Sequence, residues 1–231
     1  MDNKHGELSV IYHETYKDDI QTILKNNKYW VFAWNIKKAN DYTSSEIEKR
    51  FKIQKKGKDS KLLITCLKDD GDYVNLGLNP RAELRVHGYY FNYNIEYVIK
   101  FDMRLVQLGA GFEFFQLMHL GPNGADPLVQ IETRNGKIGI RYNSLGKGLI
   151  IDSLYPEHTN KIEWIVCFKL HVNNGYIKIY NGEKLVWEIK GRTVLNETTG
   201  WTQYGVYKNG TGYNKNIDQS VEYYQYMICK K

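Results

Sequence analysis

The stretch NPRAELRVHG, residues 79 to 88, places charged or titratable side chains at every second position. These side chains are Arg81, Glu83, Arg85 and His87. Successive side chains of a β-strand point to opposite faces, so all four would share one face, while Ala82, Leu84 and Val86 would share the other. The planar guanidinium group of arginine matches a carboxylate. The pattern predicts either the floor of a groove for an acidic ligand or a solvated sheet face with cross-strand ion pairs.

Other residues offer proton transfer or sugar recognition. His87 is a candidate base because imidazole titrates near neutral pH. The chain has 19 tyrosines, whose rings favour strands and whose hydroxyls suit grooves that are apolar and also hydrogen-bonding. Structural roles are the alternative to these functional ones. Gln116, for example, lies in an apolar run, where its amide would satisfy buried backbone groups. The tail VEYYQYMICKK is most simply an antiparallel strand, with the lining of a sugar site as the alternative.

The composition restricts the partners. The 231 residues carry a formal net charge of +6, which favours an acidic partner. The chain has no dense run of Lys and Arg, no zinc-finger spacing and no recognition-helix pattern, so an acidic polysaccharide is favoured over nucleic acid. Three cysteines match no metal motif, and Cys66 and Cys167 lie in apolar strand-like runs, which predicts buried free thiols.

The sequence says less about the cellular compartment and the oligomeric state of the protein. No segment is apolar enough to span a membrane. The first ten residues lack the apolar stretch of a signal peptide, so we expect either a protein kept inside a cell or a virus, or a mature form that has lost its leader. The oligomeric state is left open.

The periodicity predicts an all-β protein with a short helix near its start. In KDDIQTILKNNK, apolar side chains recur at helical spacing at Ile20, Ile23 and Leu24. Afterwards, about a dozen short strand-like runs are separated by Gly, Asn and Pro, and two of the joints carry Asn-Gly, the strongest short hairpin signal. We find no linker or repeat, so the sequence predicts a single domain over residues 1–231, a two-sheet antiparallel β-sandwich.

The order of these segments resembles the jelly-roll polysaccharide lyases, the alginate, glucuronan and heparin lyases with a concanavalin-like sandwich. RAELR resembles their Arg-x-Glu-Leu-Arg strand, and FFQLMHLGPNGADPLVQIETRNGKIGIR resembles their Gln-x-His strand with its turn and hairpin. IEWIVCFKLHVNNGYIKIYNGEKLVWE resembles their Trp, hairpin and Asn-Gly series, and WTQYGVYKNG resembles their Tyr-Phe-Lys-x-Gly-x-Tyr strand. Together these segments span residues 75 to 210 in the family's order.

The resemblance implies a β-elimination on uronic-acid chains that needs no cofactor and no metal. Its implied catalytic residues are Arg81 and Gln116, which bind the carboxylate, Tyr207 as acid and also as a candidate base, and His119 as a base candidate if the strand bulges. Its implied substrate-binding residues are Glu83, Arg85, His87, Trp201 and Gln203. We expect Arg81, Gln116, Gln203 and Tyr207 to converge in one groove on a concave sheet.

Two departures from the family pattern fall on catalytic positions. Gln203 stands where the family has lysine, and Met118 stands where it has histidine, with His119 one residue later. On a regular strand Gln116 and His119 point to opposite faces, and only a bulge would bring them together. The sequence therefore supports two functions: a lyase acting on an acidic polysaccharide, or an inactive lyase-like sandwich that binds carbohydrate or assembles into a structure such as a viral one.

Overall fold

The computed structural model describes residues 8–32, 43–56, 59–68, 70, 81–86, 90–106, 111–121, 124–134, 137–142, 149–156, 160–208 and 217–231. Of these, residues 26–32, 56, 124, 125, 134 and 149–156 are described by their backbone alone.

Fifteen strands and two short helices make up the described chain. The helices are α1 (Ile20–Asn26) and α2 (Ser44–Arg50). The strands are β1 (Ser9–Glu14), β2 (Asn27–Phe32), β3 (Phe51–Lys56), β4 (Asp59–Cys66), β5 (Arg81–Val86), β6 (Glu96–Leu105), β7 (Phe112–Gly121), β8 (Gly124–Arg134), β9 (Lys137–Tyr142), β10 (Leu149–Pro156), β11 (Ile162–Lys169), β12 (Gly175–Asn181), β13 (Lys184–Gly191), β14 (Gly200–Tyr207) and β15 (Gln219–Lys230).

The strands form two antiparallel sheets, as the sequence predicts. One sheet has the order β13-β12-β11-β6-β15-β4-β3, with β1 also paired to β15, which makes eight strands. The other has seven strands in the order β10-β9-β8-β7-β14-β5-β2. Neighbours in the seven-stranded sheet are often distant in sequence, and β14 in particular lies between β7 and β5. Segments on which the resemblance to lyases rests, β5, β7 and β14, therefore lie side by side.

Aromatic side chains fill the space between the sheets. Phe101 of the eight-stranded sheet stacks on Phe115 of the other, with ring centroids 4.9 Å apart. Tyr204 and Tyr226 stack in the same way across the two sheets at 4.2 Å. Burial of such rings removes about 150–250 Å² each from water and is the main source of stability in a sandwich core. Among the described residues, six of the 19 tyrosines are buried in this way: Tyr16, Tyr97, Tyr142, Tyr204, Tyr223 and Tyr226.

The local predictions are confirmed at several points. The helix predicted around Ile20 is α1, and its Ile23 and Leu24 are buried. Of the two predicted Asn-Gly joints, the one between β12 and β13 is a tight turn in which Gly182 has a φ of +56°. The other, Asn174-Gly175, is not a tight turn, because residues 170–174 separate β11 from β12 and Gly175 is already the first residue of β12. The tyrosine-rich tail is β15, a strand inside the eight-stranded sheet. Helix α2 is not among the predicted elements, although Thr43 and Glu46 form a capping box at its start.

The three cysteines are free and buried. Burial raises the pKa of the Cys66 and Cys167 thiols, that of Cys167 to about 11, so both stay protonated and unreactive at neutral pH. The prediction of buried free thiols at these two positions is confirmed.

Candidate active site

Strand β5 has the predicted alternation. Ala82 and Leu84 are completely buried in the core, and Val86 is nearly so. Arg81, Glu83 and Arg85 therefore lie on the opposite face of the seven-stranded sheet, which we call the polar face. The alternation alone would leave Arg81, Glu83 and Arg85 exposed, but Glu83 is buried, at 2% exposure, and the two arginines are half-buried. The Glu83 carboxylate is covered because neighbouring long side chains close over it.

The polar face is organised in two rows that run across the strands. Residues directly opposite each other in an antiparallel pair point to the same side of the sheet. One row contains Gln203, Gln116, Gln130 and Arg141 on β14, β7, β8 and β9. The next row contains Arg81, Tyr207, Glu113 and Glu132 on β5, β14, β7 and β8. Arg81, Gln116, Gln203 and Tyr207 thus lie on one face. Gln116 and Gln203 are buried in it, at 3% and 7% exposure, and the convergence of the four side chains in a groove stays a prediction.

A β-bulge aligns the two rows. On β7, Glu113 pairs with Glu132 and Phe115 pairs with Ile131, so Phe114 is the extra residue. Because of this insertion, Glu113 and Gln116 share a face although they are three residues apart. The pairing of β7 with β14 is irregular at the same level, between Tyr204 and Tyr207.

Tyr223 of the eight-stranded sheet holds this irregular region in place. Its buried hydroxyl donates to the carbonyl oxygen of Phe114 and accepts from the backbone N–H of Gly205 at 3.1 Å. Both backbone groups lose their regular ladder partners at the bulge, so one phenol satisfies a donor and an acceptor that would otherwise be buried unpaired. Tyr223 was not predicted as a site residue, because nothing in VEYYQYM shows which tyrosine crosses the core.

Gly205 permits the central contact of the polar face. It lies on β14 opposite Glu83, and the Glu83 carboxylate crosses over it to accept a 2.6 Å hydrogen bond from Gln116 Nε2 on β7. A Cβ at position 205 would lie 2.3 Å from the Ala82 carbonyl oxygen, and the φ of +145° also excludes most side chains. Burial raises the Glu83 pKa, an effect that the Arg81 charge and the Gln116 hydrogen bond oppose.

Both arginines of β5 contact aromatic rings. The Arg81 guanidinium lies 4.1 Å from the centre of the Tyr207 ring, and its Nη1 is 3.4 Å from Glu83 Oε2. The Arg85 guanidinium lies 4.7 Å from the Tyr90 ring and 4.4 Å from the Trp201 ring. Such contacts hold a guanidinium in a fixed orientation while leaving its edge available for hydrogen bonds.

His119 does not reach the polar face. From Gln116 to His119 the pairing with β14 continues without interruption, and the bulge of β7 lies before Gln116. The pairing of β7 with β8 shifts again between Leu117 and Met118, but the extra residue there is Leu128 of β8, so the alternation along β7 is kept. His119 therefore points to the same side as Leu117, and the convergence on which its role as a base depends is absent. Burial lowers the His119 pKa, although the nearby Asp126 charge opposes this shift. The position on the Gln116 face belongs to Met118, which lies opposite Trp201. His87 falls outside the described residues.

A cluster on β7, β8 and β9 was missed by the sequence analysis. Arg141 Nη2 lies 2.9 Å from Glu132 Oε2, and its Nη1 lies 3.7 Å from Glu113 Oε1. Gln130 Nε2 donates to Glu113 Oε2. The signal was present in QIETR and GKIGIRYN, where polar residues alternate with buried Ile131 and Ile140. The pattern could not show that the two strands continue the face formed by β5 and β14.

The described residues hold no group of three or more His, Cys, Asp or Glu side chains placed to bind a metal ion. Within the same residues, no helix is long and apolar enough to cross a membrane.

Neither a family model nor a curated protein matches the sequence. Solved structures do match. Alginate lyase AlgAT5 from polysaccharide lyase family 7 is 13% identical, with a TM-score of 0.63 over 90% of this chain and 96% of its own. Alginate lyase A1-II′, a member of the same family, is 14% identical, with a TM-score of 0.64 over 82% of this chain and 85% of its own. The fold is the jelly roll of the family 7 alginate lyases.

A further solved structure shares the architecture. LamAcat from Zobellia galactanivorans is 12% identical, with a TM-score of 0.61 over 95% of this chain and 97% of its own. At these identities the similarity establishes the jelly-roll fold and nothing about activity. The function therefore has to be argued from the polar face itself.

Proposed function

We propose that the protein is a polysaccharide lyase that cleaves a uronic-acid-containing polysaccharide by β-elimination. The observation that carries the proposal is the alignment of Arg81, Gln116, Gln203 and Tyr207 on one face of the seven-stranded sheet. These four residues come from three strands that are far apart in sequence. An amide, a guanidinium and a phenol on one face match the needs of a reaction that must neutralise a carboxylate and move a proton.

The first requirement is to tolerate the charge that develops when the proton on C5 of the uronate leaves. Gln116 donates one N–H to Glu83. We assign its second N–H and the guanidinium of Arg81 to the substrate carboxylate. Donors that are already oriented stabilise this charge without the cost of reorganisation. Glu83 acts here as a positioning residue, because it fixes the orientation of the Gln116 amide and lies within ion-pair distance of Arg81.

The second requirement is proton transfer. We assign both steps to Tyr207 in its phenolate form: the phenolate oxygen takes the proton from C5, and the resulting phenol gives this proton to the glycosidic oxygen as the C4–O bond breaks and the C4=C5 bond forms, which restores the phenolate. The Arg81 guanidinium on the Tyr207 ring stabilises negative charge on the phenol during this exchange. A single residue fits this chemistry because His119 points away from the face.

A second candidate function is carbohydrate binding without turnover. Two observations favour it: Met118 occupies the place of the family's histidine, and Gln203 that of its lysine. The amides of Gln116 and Gln203 would serve binding equally well, since amides bond to sugar hydroxyls. Trp201 does not offer an open ring for a sugar to stack on, because it is only 4% exposed and the Arg85 guanidinium lies against it. A retained structural or self-assembling role would need no groove at all.

The test is an absorbance assay near 235 nm for the unsaturated uronate product on alginate, glucuronan and heparin-type polymers, with Tyr207→Phe as the matched variant. Phenylalanine keeps the ring on Arg81 and removes only the hydroxyl. We expect the rate to fall by about 10²–10⁴, the usual contribution of general acid–base catalysis. Stability should fall by no more than ~1 kcal/mol, about one hydrogen bond. Wild-type protein that cleaves none of the polymers, or Tyr207→Phe that remains fully active, contradicts the lyase proposal.

A further inference from the structure

The eight-stranded sheet carries a polar pocket on the surface that is turned away from the seven-stranded sheet. Phe101 and Met103 of β6 are buried between the sheets, so Asp102 between them lies on the outer surface. Asp102 lines a cavity of about 230 Å³ there, together with Tyr224 and Gln225 of β15. We call this cavity the outer pocket. Since one water molecule takes up about 30 Å³, the outer pocket has room for several waters or for one ring-sized ligand.

A β-bulge turns two consecutive side chains into the outer pocket. The pairing of β15 with β6 shifts between Tyr223 and Gln225, so Tyr224 is the extra residue. Tyr223 and Tyr226 are both completely buried in the core, and the two side chains between them line the pocket. On a regular strand, one of these two would enter the core. The Tyr224 hydroxyl donates to Glu222 Oε2 at 3.0 Å, which helps to fix the orientation of the ring.

The Asp102 carboxylate is only partly satisfied. Asp102 is 6% exposed, and its Oδ2 lies 2.6 Å from Lys161 Nζ. Its Oδ1 is buried and has no hydrogen-bond partner among the described residues. A buried acceptor without a donor costs about 1–3 kcal/mol, so such atoms normally have a partner. The side chain of Lys161 is 52% exposed, so it can rotate to admit a donor from the pocket.

The other groups that line the outer pocket suit a sugar better than an ion. Ser60, Asp59 and Lys17 supply a hydroxyl, a carboxylate and an ammonium group, so donors and acceptors occur together. Sugar hydroxyls both donate and accept, and the Tyr224 ring adds an apolar surface for the C–H groups of a sugar ring. The ammonium groups of Lys17 and Lys161 disfavour a metal ion in the same pocket, and the Asp59 carboxylate disfavours a small anion.

We propose that the outer pocket binds one sugar ring of a polysaccharide through its hydroxyl groups. One hydroxyl donates to Asp102 Oδ1, others bond to Ser60 and Gln225, and the C–H groups of the ring pack on Tyr224. The outer pocket does not depend on the lyase proposal. Together with a sugar site on the polar face, it would let one protein hold two polymer segments on opposite surfaces of the sandwich, which strengthens binding to long chains.

An NMR titration of the isotope-labelled wild type tests the inference directly. The probes are β-1,4-linked trimers of glucose and of glucuronate, which share their ring hydroxyls and differ in the carboxylate. The backbone amide signals of Asp102, Tyr224 and Gln225 should shift and saturate on addition of the glucose trimer. A response to the glucose trimer, with or without the glucuronate trimer, supports recognition of hydroxyl groups. A response to the glucuronate trimer alone overturns it.

Variants locate the binding site. Tyr224→Ala removes the ring surface, and Asp102→Asn removes the charge and one acceptor oxygen. Each should weaken binding of the glucose trimer about fivefold to tenfold. The matched control is Tyr180→Ala, because Tyr180 is a half-buried tyrosine on the same surface of the sheet that does not line the outer pocket. Tyr207→Phe, on the other sheet, should leave the shifts around Tyr224 unchanged. Thermal unfolding shows whether each variant is folded.

The outcomes separate this inference from the proposed function. Shifts on β5 and β14 without any around Tyr224 overturn the outer pocket and leave the lyase proposal standing. Saturable shifts around Tyr224 in the absence of cleavage support the outer pocket and count against the lyase. Equal effects of Tyr224→Ala and Tyr180→Ala on trimer binding also overturn the inference. Because the wild-type spectrum alone shows whether the pocket is occupied, the inference is testable even if a variant does not fold.

Discussion

Glu83 links three side chains of the polar face at the scale of single residues. It accepts a hydrogen bond from Gln116, lies within ion-pair distance of Arg81 and passes over Gly205 to do so. Its pKa is raised because burial disfavours the charged form more than its two partners favour it. Because the Glu83 carboxyl group is costly to ionise, the free energy of unfolding should depend on pH through this residue.

Glu83→Gln should change how stability depends on pH. Since the native pKa of Glu83 lies above its ordinary value of 4.5, the native state retains this proton at pH values where the unfolded chain has lost it. The stabilising contribution is complete below the unfolded pKa and is lost as pH rises through the native pKa. The stability of the wild type relative to Glu83→Gln should therefore fall as the pH rises above the ordinary pKa of 4.5.

Urea unfolding of both proteins at a series of pH values measures this difference. The control is Glu183→Gln, whose carboxylate is exposed. If the wild type instead gained stability relative to Glu83→Gln as pH rose, ion pairing with Arg81 would outweigh burial, and the pKa direction given above would be wrong.

At the scale of elements, the bulge of β7 decides which side chains meet. With Phe114 inserted, Glu113 and Gln116 share the polar face, and Tyr207 lies beside them on β14. Tyr223 holds the insertion from the other sheet. The site geometry therefore depends on a core tyrosine that does not belong to the polar face.

Tyr223→Phe should damage the site through the bulge. The change leaves the Phe114 carbonyl and the Gly205 N–H buried without their partner, which should cost about 2–4 kcal/mol in total. Binding of a glucuronate hexamer should weaken as well. Tyr226→Phe is the control, because its hydroxyl bonds only to the Thr202 side chain at 2.6 Å and should cost ~1 kcal/mol with little change in binding. Equal effects of the two variants on binding would argue against a role of the bulge.

Met118→His tests the consequence of strand register. Position 118 lies opposite Trp201 on the Gln116 face, so a histidine there would be available as a base. If the protein is a lyase, we expect the elimination rate to rise by at least about tenfold, with a pH dependence centred near ~6.5. The same substitution combined with His119→Gln should behave alike, since His119 faces the other way. A rate that depends on His119 and not on position 118 would show that the register argument is wrong.

At the scale of the whole molecule, the +6 charge and the arginines of β5 predict that binding of an anionic polysaccharide is sensitive to salt. The Debye length falls from ~30 Å at 0.01 M to ~3 Å at 1 M, so long-range attraction is lost while direct contacts in the site persist. Affinity should fall steadily over this range and reach a plateau. Affinity for a neutral β-1,4-linked glucose hexamer, measured in parallel, should stay constant; a parallel fall in affinity for both ligands would exclude an electrostatic origin.

Much of the architecture follows from the sequence alone. Alternation in β5 determined which side chains are in the core, and the Asn-Gly pair at Asn181 and Gly182 determined a turn, because both features depend on residues that are adjacent in the chain. The order of the motifs pointed to the jelly roll for the same reason. Local pattern also showed that Gln116 and His119 would point apart on a regular strand.

Tertiary structure decided the rest, since it brings together strands that are far apart in sequence. The pairing of β14 between β7 and β5 put Tyr207 beside Arg81 and Glu113, and the strand order added Arg141 to the same face. The bulge of β7 lies before Gln116, so it does not bring His119 onto the polar face. Tyr223 of the other sheet binds the bulge by a hydrogen bond across the core. The periodicity of a single strand cannot predict these contacts, because the register between strands is set by contacts over the whole molecule.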